Sequence, residues 1–402
     1  MKIALIGVNA KYIHTNLALL NLKSYADKYQ DHIAIAEYTI NQMEDQILEE
    51  IYKLKADVLC FSCYIWNIQM IESLIRELEI ILPNVEIWVG GPEVSFSGTA
   101  FLTTHPFVKG VMNGEGEETF LNLCHHYVKQ SIELENIAGI TIRFKNEIQT
   151  NHANSFVQMD QIPFGYDQIG DFDLAFANKI IYYESSRGCP FRCSYCLSSI
   201  DKQLRFKSLD KVFEELSFFI EKKVKQVKFV DRTFNCQVER SIAIWKFLKE
   251  KDNGITNFHF EIAADILTAE ELQILGMMRP GQIQLEIGVQ TTNPKTLEEI
   301  RRKMDFQKVA QFVEIIRKQE NIHQHLDLIA GLPFEDYESF HRSFNEVFQI
   351  HPEQLQLGFL KVLKGSWMHE NAKQYGLKYQ TKPPFEVRST NWISYEELLR
   401  LK

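Results

Sequence analysis

Three cysteines stand at CxxxCxxC spacing. They are Cys189, Cys193 and Cys196, in the stretch 184–196, Glu-Ser-Ser-Arg-Gly-Cys-Pro-Phe-Arg-Cys-Ser-Tyr-Cys. A thiolate is a soft, anionic ligand that suits iron–sulfur clusters and zinc. On a four-iron cluster, three thiolates leave one iron without a protein ligand and free to take a substrate or cofactor. Structural zinc takes four protein ligands, and no nearby His or Cys completes a set; the next cysteine is Cys236. The remaining alternative is three cysteines packed in a core. Gly188, Pro190, Arg187 and Arg192 make this a polar loop, which suits packing poorly.

The elements around that loop read as alternating strand and helix. Strands are expected over 180–186, 227–231, 257–263, 283–289, 325–331 and 354–360, with helical segments between them. The helix expected over 208–222 shows an apolar stripe of Leu209, Val212, Phe213, Leu216 and Ile220. Six βα units make a partial (β/α)6 barrel. Polar residues alternate inside its strands (Gln284 and Glu286, Asp327, Gln354 and Gln356), as where a barrel interior is wet and functional. Reactive groups of such barrels gather at the strand carboxyl ends.

Ahead of this unit the same alternation runs once already. Short apolar runs over 2–8, 33–38, 57–62, 86–91 and 107–112 read as strands buried on both faces, separated by helical patterns. This is a doubly wound parallel sheet, flavodoxin/Rossmann-like, whose ligands sit at the strand carboxyl ends. The loops there are Asn9 to His14, Ser62 to Asn67, Gly90-Gly91-Pro92-Glu93 and Gly114-Glu115-Gly116-Glu117. Paired glycines let a backbone approach a bulky ligand closely. Cys60 and Cys63 form a CxxC. Cys60 lies in an apolar strand and reads as core, whereas Cys63, at the strand end, is placed to face a ligand or to form a redox pair. The organisation expected is a first domain over 1–130, a linker with a small hairpin over 131–178, the partial barrel over 179–365, and the start of a helical segment over 366–402. The chain stops inside that last helix, which reads as a truncated protein or a minimal C-terminal segment.

The chain has 402 residues, 45% hydrophobic and 24% charged, enough for two or three domains with their own cores. The formal charge is −9 with no basic run, so nucleic acid is not an expected partner. Seven cysteines, an odd count with three in one motif, argue for a reducing compartment over a disulfide framework. No apolar stretch reaches about eighteen residues, so no membrane span is expected and the cytoplasm is the expected location.

CxxxCxxC with Tyr195 before the last cysteine and an Arg-Gly-Cys-Pro lead-in resembles the radical S-adenosylmethionine (SAM) enzymes. The resemblance implies that the three cysteines hold a 4Fe-4S cluster, and that SAM chelates the open iron through its amino and carboxylate groups. One electron then cleaves SAM to methionine and a 5′-deoxyadenosyl radical. Residues 231–235 stand where the family has a short motif touching the SAM amino group, with its usual glycines replaced. Asp231 is therefore a candidate contact, or else a helix cap. Glu286 to Gln290 resembles the family's ExGxQ stretch and 327–333 its Gly-Leu-Pro segment, making Tyr195, Glu286, Gln290 and Gly331 further SAM-binding candidates. Arg301 and Arg302, placed on a helix over 295–304, either face the SAM carboxylate or lie on a solvated helix face.

The first domain resembles the cobalamin-binding domains fused in front of radical SAM domains, with Ser62 after strand three and Gly90-Gly91 after strand four in matching order. Asn9, His14, Ser62, Tyr64, Gly90, Gly91, Gly114 and Glu115 are the implied cobalamin-binding residues. The DxHxxG loop that carries a cobalt-ligating His is missing after strand one, so His14 is either a substitute ligand or a loop hydrogen-bonding residue. Cys60, Cys63 and Cys124 do not reproduce the second-cluster spacing of the methylthiotransferase branch. The implied reaction is cobalamin-dependent methylation of an unactivated carbon, using SAM both as methyl source and as radical source. The alternatives are a rearrangement, cyclisation or methylthiolation without methyl transfer from cobalamin, or a non-catalytic cobalamin or redox sensor. The implied partners are a small-molecule, lipid or peptide substrate and an electron donor such as flavodoxin or ferredoxin.

Overall fold

In the computed structural model, which describes all residues except 12, 146, 153–155, 177, 201 and 202, the chain divides into two compact units, Met1–Lys179 and Ile180–Lys402. The first is built on five parallel strands, β1 (Ile3–Asn9), β2 (Ile33–Thr39), β3 (Val58–Ser62), β4 (Glu86–Gly90) and β5 (Val108–Met112), in spatial order β2-β1-β3-β4-β5. All seven residues of β1 are buried because helices cover both faces of the sheet. Successive side chains of a strand point to opposite faces, and the apolar runs divide accordingly. Ile6, Phe61 and Val89 pack with the helices Glu44–Lys53 and Ile68–Ile81, whereas Ile3, Leu5, Val58 and Trp88 pack with the helices Leu17–Tyr25 and Glu117–Cys124.

The CxxC cysteines separate by the same rule. Cys60 belongs to one core and Cys63 to the other, both buried. Burial pushes both thiols well up. The expectation that Cys63 faces a ligand or pairs with Cys60 is corrected: the two side chains lie in different cores.

The hairpin of 131–178 is a continuation of the sheet. β6 (Ile140–Phe144) runs antiparallel to β5, with Met112 opposite Ile140, and β7 (Glu147–Asn151) pairs with β6 to close a seven-stranded sheet.

In the second unit, β8 (Ile181–Tyr183) leads into a two-stranded ribbon of β9 (Ser186–Arg187) and β10 (Arg205–Phe206). Then follow β11 (Gln226–Phe229), β12 (Asn257–Ile262), β13 (Ile283–Gln290), β14 (His323–Ala330) and β15 (Gln354–Phe359). They form a six-stranded parallel sheet in sequential order β8-β11-β12-β13-β14-β15. Along β13, Ile283, Leu285, Ile287 and Val289 are buried, while Gln284, Glu286, Gly288 and Gln290 alternate onto the other, polar face. The strand expected over 180–186 therefore splits, its second half leaving the sheet to form the base of the cysteine loop.

Candidate active site

The cysteine loop springs from the β9–β10 ribbon. Gly188 has φ +95°, and a side chain there would place its Cβ 2.4 Å from the Gln203 carbonyl oxygen, so the turn into Cys189 takes glycine alone. Farther on, the backbone of Ser194 is held from both sides: its N–H donates to the Ile300 carbonyl (2.9 Å) and its carbonyl accepts from the Met368 N–H (3.0 Å). None of Cys189, Cys193 and Cys196 is in a disulfide. Cys189 Sγ lies 3.6 Å from Thr233 Oγ1, and the Arg302 guanidinium points at Cys193 Sγ (Nη1 at 3.7 Å). Tyr195 is hydrogen-bonded to the Cys193 sulfur; burial first, and the neighbouring thiols next, push its phenol well up, against the pull of Arg302.

Beneath the loop lies a fully buried polar network. Asp231 accepts from the Ser185 N–H (2.9 Å), the Ser185 hydroxyl (2.7 Å) and the Ser186 hydroxyl (2.6 Å). Arg240 donates to the carbonyls of Lys207 (2.7 Å) and Ser185 (3.2 Å). Lys207 and Glu215 form an ion pair at 2.8 Å, which the Tyr183 hydroxyl joins at 2.7 Å. Asp231 was a candidate for meeting the SAM ammonium or for capping a helix. It caps no helix: it is 0% exposed, and its carboxylate accepts from the strand that carries the loop. It is a positioning residue.

The arginines are also corrected. The helix after β13 ends at Glu299, and Arg301 takes a left-handed backbone (φ 56°) with its guanidinium over the Trp367 ring. That turn sends Arg302 inward, where it donates to the Gly288 carbonyl as well as meeting Cys193. β13 carries a register shift against β14 between Gly288 and Gln290, and Gln290 has φ 72°. A bulge of this kind re-aims a side chain at a strand end. The candidate Gln290 is thereby set at the carboxyl end of β13 beside Gly288. Gly331 lies just past β14, against Val387. Glu286 sits deeper, bound to Lys228 Nζ (2.9 Å) and His259 Nε2 (3.0 Å). Desolvation pushes Glu286 up, but the His259 hydrogen bond and the Lys228 charge outweigh it and hold the group down at about 2.

The first unit offers a second candidate site at the carboxyl ends of β1, β3, β4 and β5. Asn16 and Asn67, which drew no attention in the sequence, tie these ends together. Asn16 Nδ2 donates to Asn9 Oδ1 (3.1 Å) and Ser62 Oγ (3.2 Å), and Asn67 Nδ2 donates to the carbonyls of Val8 and Ser62 (both 2.9 Å). Gly91 has φ +105°, and a Cβ there would stand 2.6 Å from the Cys63 carbonyl. By contrast, a Cβ at Gly114 would meet nothing within 4 Å. Tyr64 stacks on Trp66, ring centroids 4.4 Å apart. Glu115 accepts from the Val157 N–H at 3.3 Å.

Of the two readings of His14, the structure displays the loop hydrogen bonds. Its Nδ1 donates to the Thr15 carbonyl (2.9 Å) and its Nε2 accepts from the Ala10 N–H (3.3 Å), so both ring nitrogens are engaged within the loop.

Both sites fit the groups that the cysteine motif and the strand-end glycines suggest. Three cysteines outside any disulfide share one pinned loop with a guanidinium to balance thiolate charge, and Gly114, past the end of β5, leaves backbone open to a large flat ligand.

Comparison with known proteins agrees. Residues 3–124 match the B12 binding domain, residues 183–347 the Radical SAM superfamily, and residues 373–402 a family described as a protein of unknown function (DUF4080). The cobalamin-dependent radical SAM methyltransferase TokK of Streptomyces tokunonensis is 25% identical over 96% of this chain and 59% of its own. The chain spans about half the length of the curated relatives it matches. Among solved structures, the radical SAM methyltransferase TsrM from Kitasatospora setae, with cobalamin and a [4Fe-4S] cluster bound, superposes with a TM-score of 0.75 at 14% identity, over 95% of this chain and 76% of that one. The cobalamin-dependent SAM radical enzyme OxsB, with aqua-cobalamin and SAM bound, gives 0.77 at 15% identity, over 98% and 65%. The cysteine loop and β11 to β14 of its six-stranded parallel sheet fall within the segment that matches the Radical SAM superfamily, and β1 to β5, with the glycines at their strand ends, fall within the segment that matches the B12 binding domain.

Proposed function

We propose that the chain is a cobalamin-dependent radical SAM enzyme that methylates an unactivated carbon of a small-molecule, lipid or peptide substrate, drawing electrons from a flavodoxin or ferredoxin. The observation that carries the reading is the cysteine loop, with three cysteines outside any disulfide on a backbone fixed at Gly188 and Ser194. A bound 4Fe-4S cluster supplies one-electron cleavage of SAM, and bound cobalamin supplies the methyl group.

The protein's residues have separable tasks in this reading. Cys189, Cys193 and Cys196 hold the cluster, and Arg302 offsets thiolate charge at Cys193 while joining the loop to the end of β13. Gln290 and Gly331, at strand carboxyl ends, stand where polar and flat parts of SAM are received; Tyr195 orders the loop from below through Cys193. In the first unit the backbone at Gly90, Gly91 and Gly114 receives cobalamin, with Tyr64 and Glu115 at its margin. Asn9, Ser62 and His14 shape the loops from within. The methyl-transfer part rests on the likeness to TokK, whose description names that chemistry.

The test is anaerobic incubation of iron-reconstituted, cobalamin-loaded protein with SAM and a reductant. 5′-Deoxyadenosine is expected, together with S-adenosylhomocysteine whose formation requires cobalamin. Cys193→Ala is expected to lower both by at least a thousandfold. Iron-loaded protein that yields neither product overturns the reading.

A further inference from the structure

The polar face of the six-stranded sheet holds a cluster to which the proposed roles above assign nothing, although the family resemblance offered one member, Glu286, as a SAM contact. Glu286 from β13 and His325 and Asp327 from β14 each bring one ligand atom to a common point, all within 4.8 Å of one another. The register places Glu286 beside His325 and Gly288 beside Asp327, so the three side chains rise from one patch of two adjacent strands. Glu261 on β12, which pairs with Glu286, adds a third carboxylate. Facing the three are Lys228 at 2.9 Å from Glu286, His259 at 3.0 Å, and Tyr182 and His323 farther around; the exposed Arg232 lies near Glu261. Three carboxylates therefore crowd one half-buried ammonium in this patch.

Two further observations point to a ligand. His325 is 8% exposed, and its Nε2, 3.1 Å from Asp327 Oδ1, makes no well-directed hydrogen bond to that atom or to any other among the described residues; His259 Nε2, 3.0 Å from Glu286 Oε2, falls short in the same way. The Asp327 and Glu286 carboxylates also face each other within the same 4.8 Å group, a like-charge pairing that a cation or a proton between them relieves. A proton joins two of these atoms and leaves the imidazole orphaned, whereas a metal ion engages all three.

We propose that Glu286, His325 and Asp327 form a binding site for one divalent cation of the Mn2+, Fe2+ or Zn2+ type on the polar face of this sheet. One nitrogen and two carboxylate oxygens are the donor set these ions accept, and harder ions such as Mg2+ prefer oxygen alone. Ligands at 2.0–2.2 Å from a shared ion stand about 3 to 3.6 Å apart, so the side chains close by about an ångström. Lys228 donates to Glu286 Oε2 and His259 Nε2 stands 3.0 Å from the same oxygen, which leaves the other oxygen for the ion, the kind of support that metal-ligating carboxylates usually have. Three protein ligands leave open positions on the ion for an anionic oxygen of a substrate. The site stands apart from the cluster and cobalamin reading.

Mn2+ is the probe, because it avoids thiolates and its free form has a strong EPR signal. The full chain is used with its iron–sulfur cluster rebuilt and cobalamin kept as the EPR-silent Co(III) form. One Mn2+ bound per chain is expected, with His325→Ala and Asp327→Asn each weakening binding by tenfold or more while iron content holds. If either variant fails to fold, electron spin-echo modulation of the wild-type complex decides: one histidine nitrogen coupled to Mn2+ supports the site. Mn2+ that stays free at 1 mM, binding indifferent to both substitutions, or a complex without nitrogen coupling overturns it and leaves a shared proton in the cluster.

Discussion

Replacing Asp231 by Asn separates a residue that positions the cysteine loop from one that meets SAM. The wild-type carboxylate accepts three hydrogen bonds from Ser185 and Ser186 at 2.6–2.9 Å with no exposure to solvent. Hydrogen bonds to a charged group contribute about 1.5–3 kcal/mol each, and neutral ones about 0.5–1.5 kcal/mol. Asparagine keeps one acceptor oxygen, so at least one donor loses its partner and the rest lose their charge assistance. Burial works the other way: it pushes the Asp231 carboxyl up despite those hydrogen bonds, so removing the charge also removes a desolvation cost. The balance is a loss of about 2 kcal/mol for Asp231→Asn and about 3–5 kcal/mol for Asp231→Ala, which strands all three donors. Both are measured by anaerobic denaturant unfolding followed through the cluster's visible absorbance, with iron counted per chain. Iron retention is expected to fall in the same order. If Asp231→Asn leaves the unfolding transition and the iron count unchanged but weakens SAM binding tenfold, the carboxylate meets the ligand and the positioning argument is wrong.

Further outcomes follow from other sites. Glu335 is fully buried, accepts from Thr291 and Ser343, and is pushed up to about 7, chiefly by burial. Its folded pKa lies above its unfolded one, so its contribution is full below about pH 4 and is lost as pH rises through 7. Glu335→Gln should remove a loss of about 3 kcal/mol between pH 4.5 and 8, read from denaturant midpoints across that range. Gly188→Ala should lose most of its reconstituted iron, because its Cβ meets the Gln203 carbonyl at 2.4 Å and the left-handed backbone adds about 1–2 kcal/mol; iron at wild-type level would refute the steric argument. The reduced, Co(II) form of bound cobalamin should show no coupling to a histidine nitrogen by EPR, and His14→Ala should leave that spectrum unaltered, because both ring nitrogens are already engaged.

The sequence exposed those parts of the molecule whose physics is local. A strand buried on both faces must be apolar throughout, so β1 and β3 were legible, and the cysteine spacing named its chemistry by residue type alone. What escaped was direction. Asp231 and His14 are polar residues near strand ends, and nothing in their types says whether they face a ligand or turn back into the fold; the turns at Ser185 and Ala10 decide that. Arg302 escaped for a related reason. The helical pattern runs on past Glu299, and only the left-handed turn at Arg301 sends the next side chain toward Cys193. Asn16 and Asn67 carry no signal beyond being loop asparagines. The hairpin of β6 and β7 was legible as a hairpin, but its pairing with β5 joins segments far apart in sequence and leaves no local trace.

That hairpin also governs how the protein behaves in a crowded solution. Without it, β5 would end the sheet with a bare row of peptide groups flanked by Val108, Val111 and Met112, an invitation to strand-by-strand growth between molecules. With it, the rim is β7, where Glu147, Gln149 and Thr150 face outward. A polar, charged border of this kind discourages a second molecule from stacking on, so removing the hairpin would bare a row of peptide groups prone to intermolecular pairing.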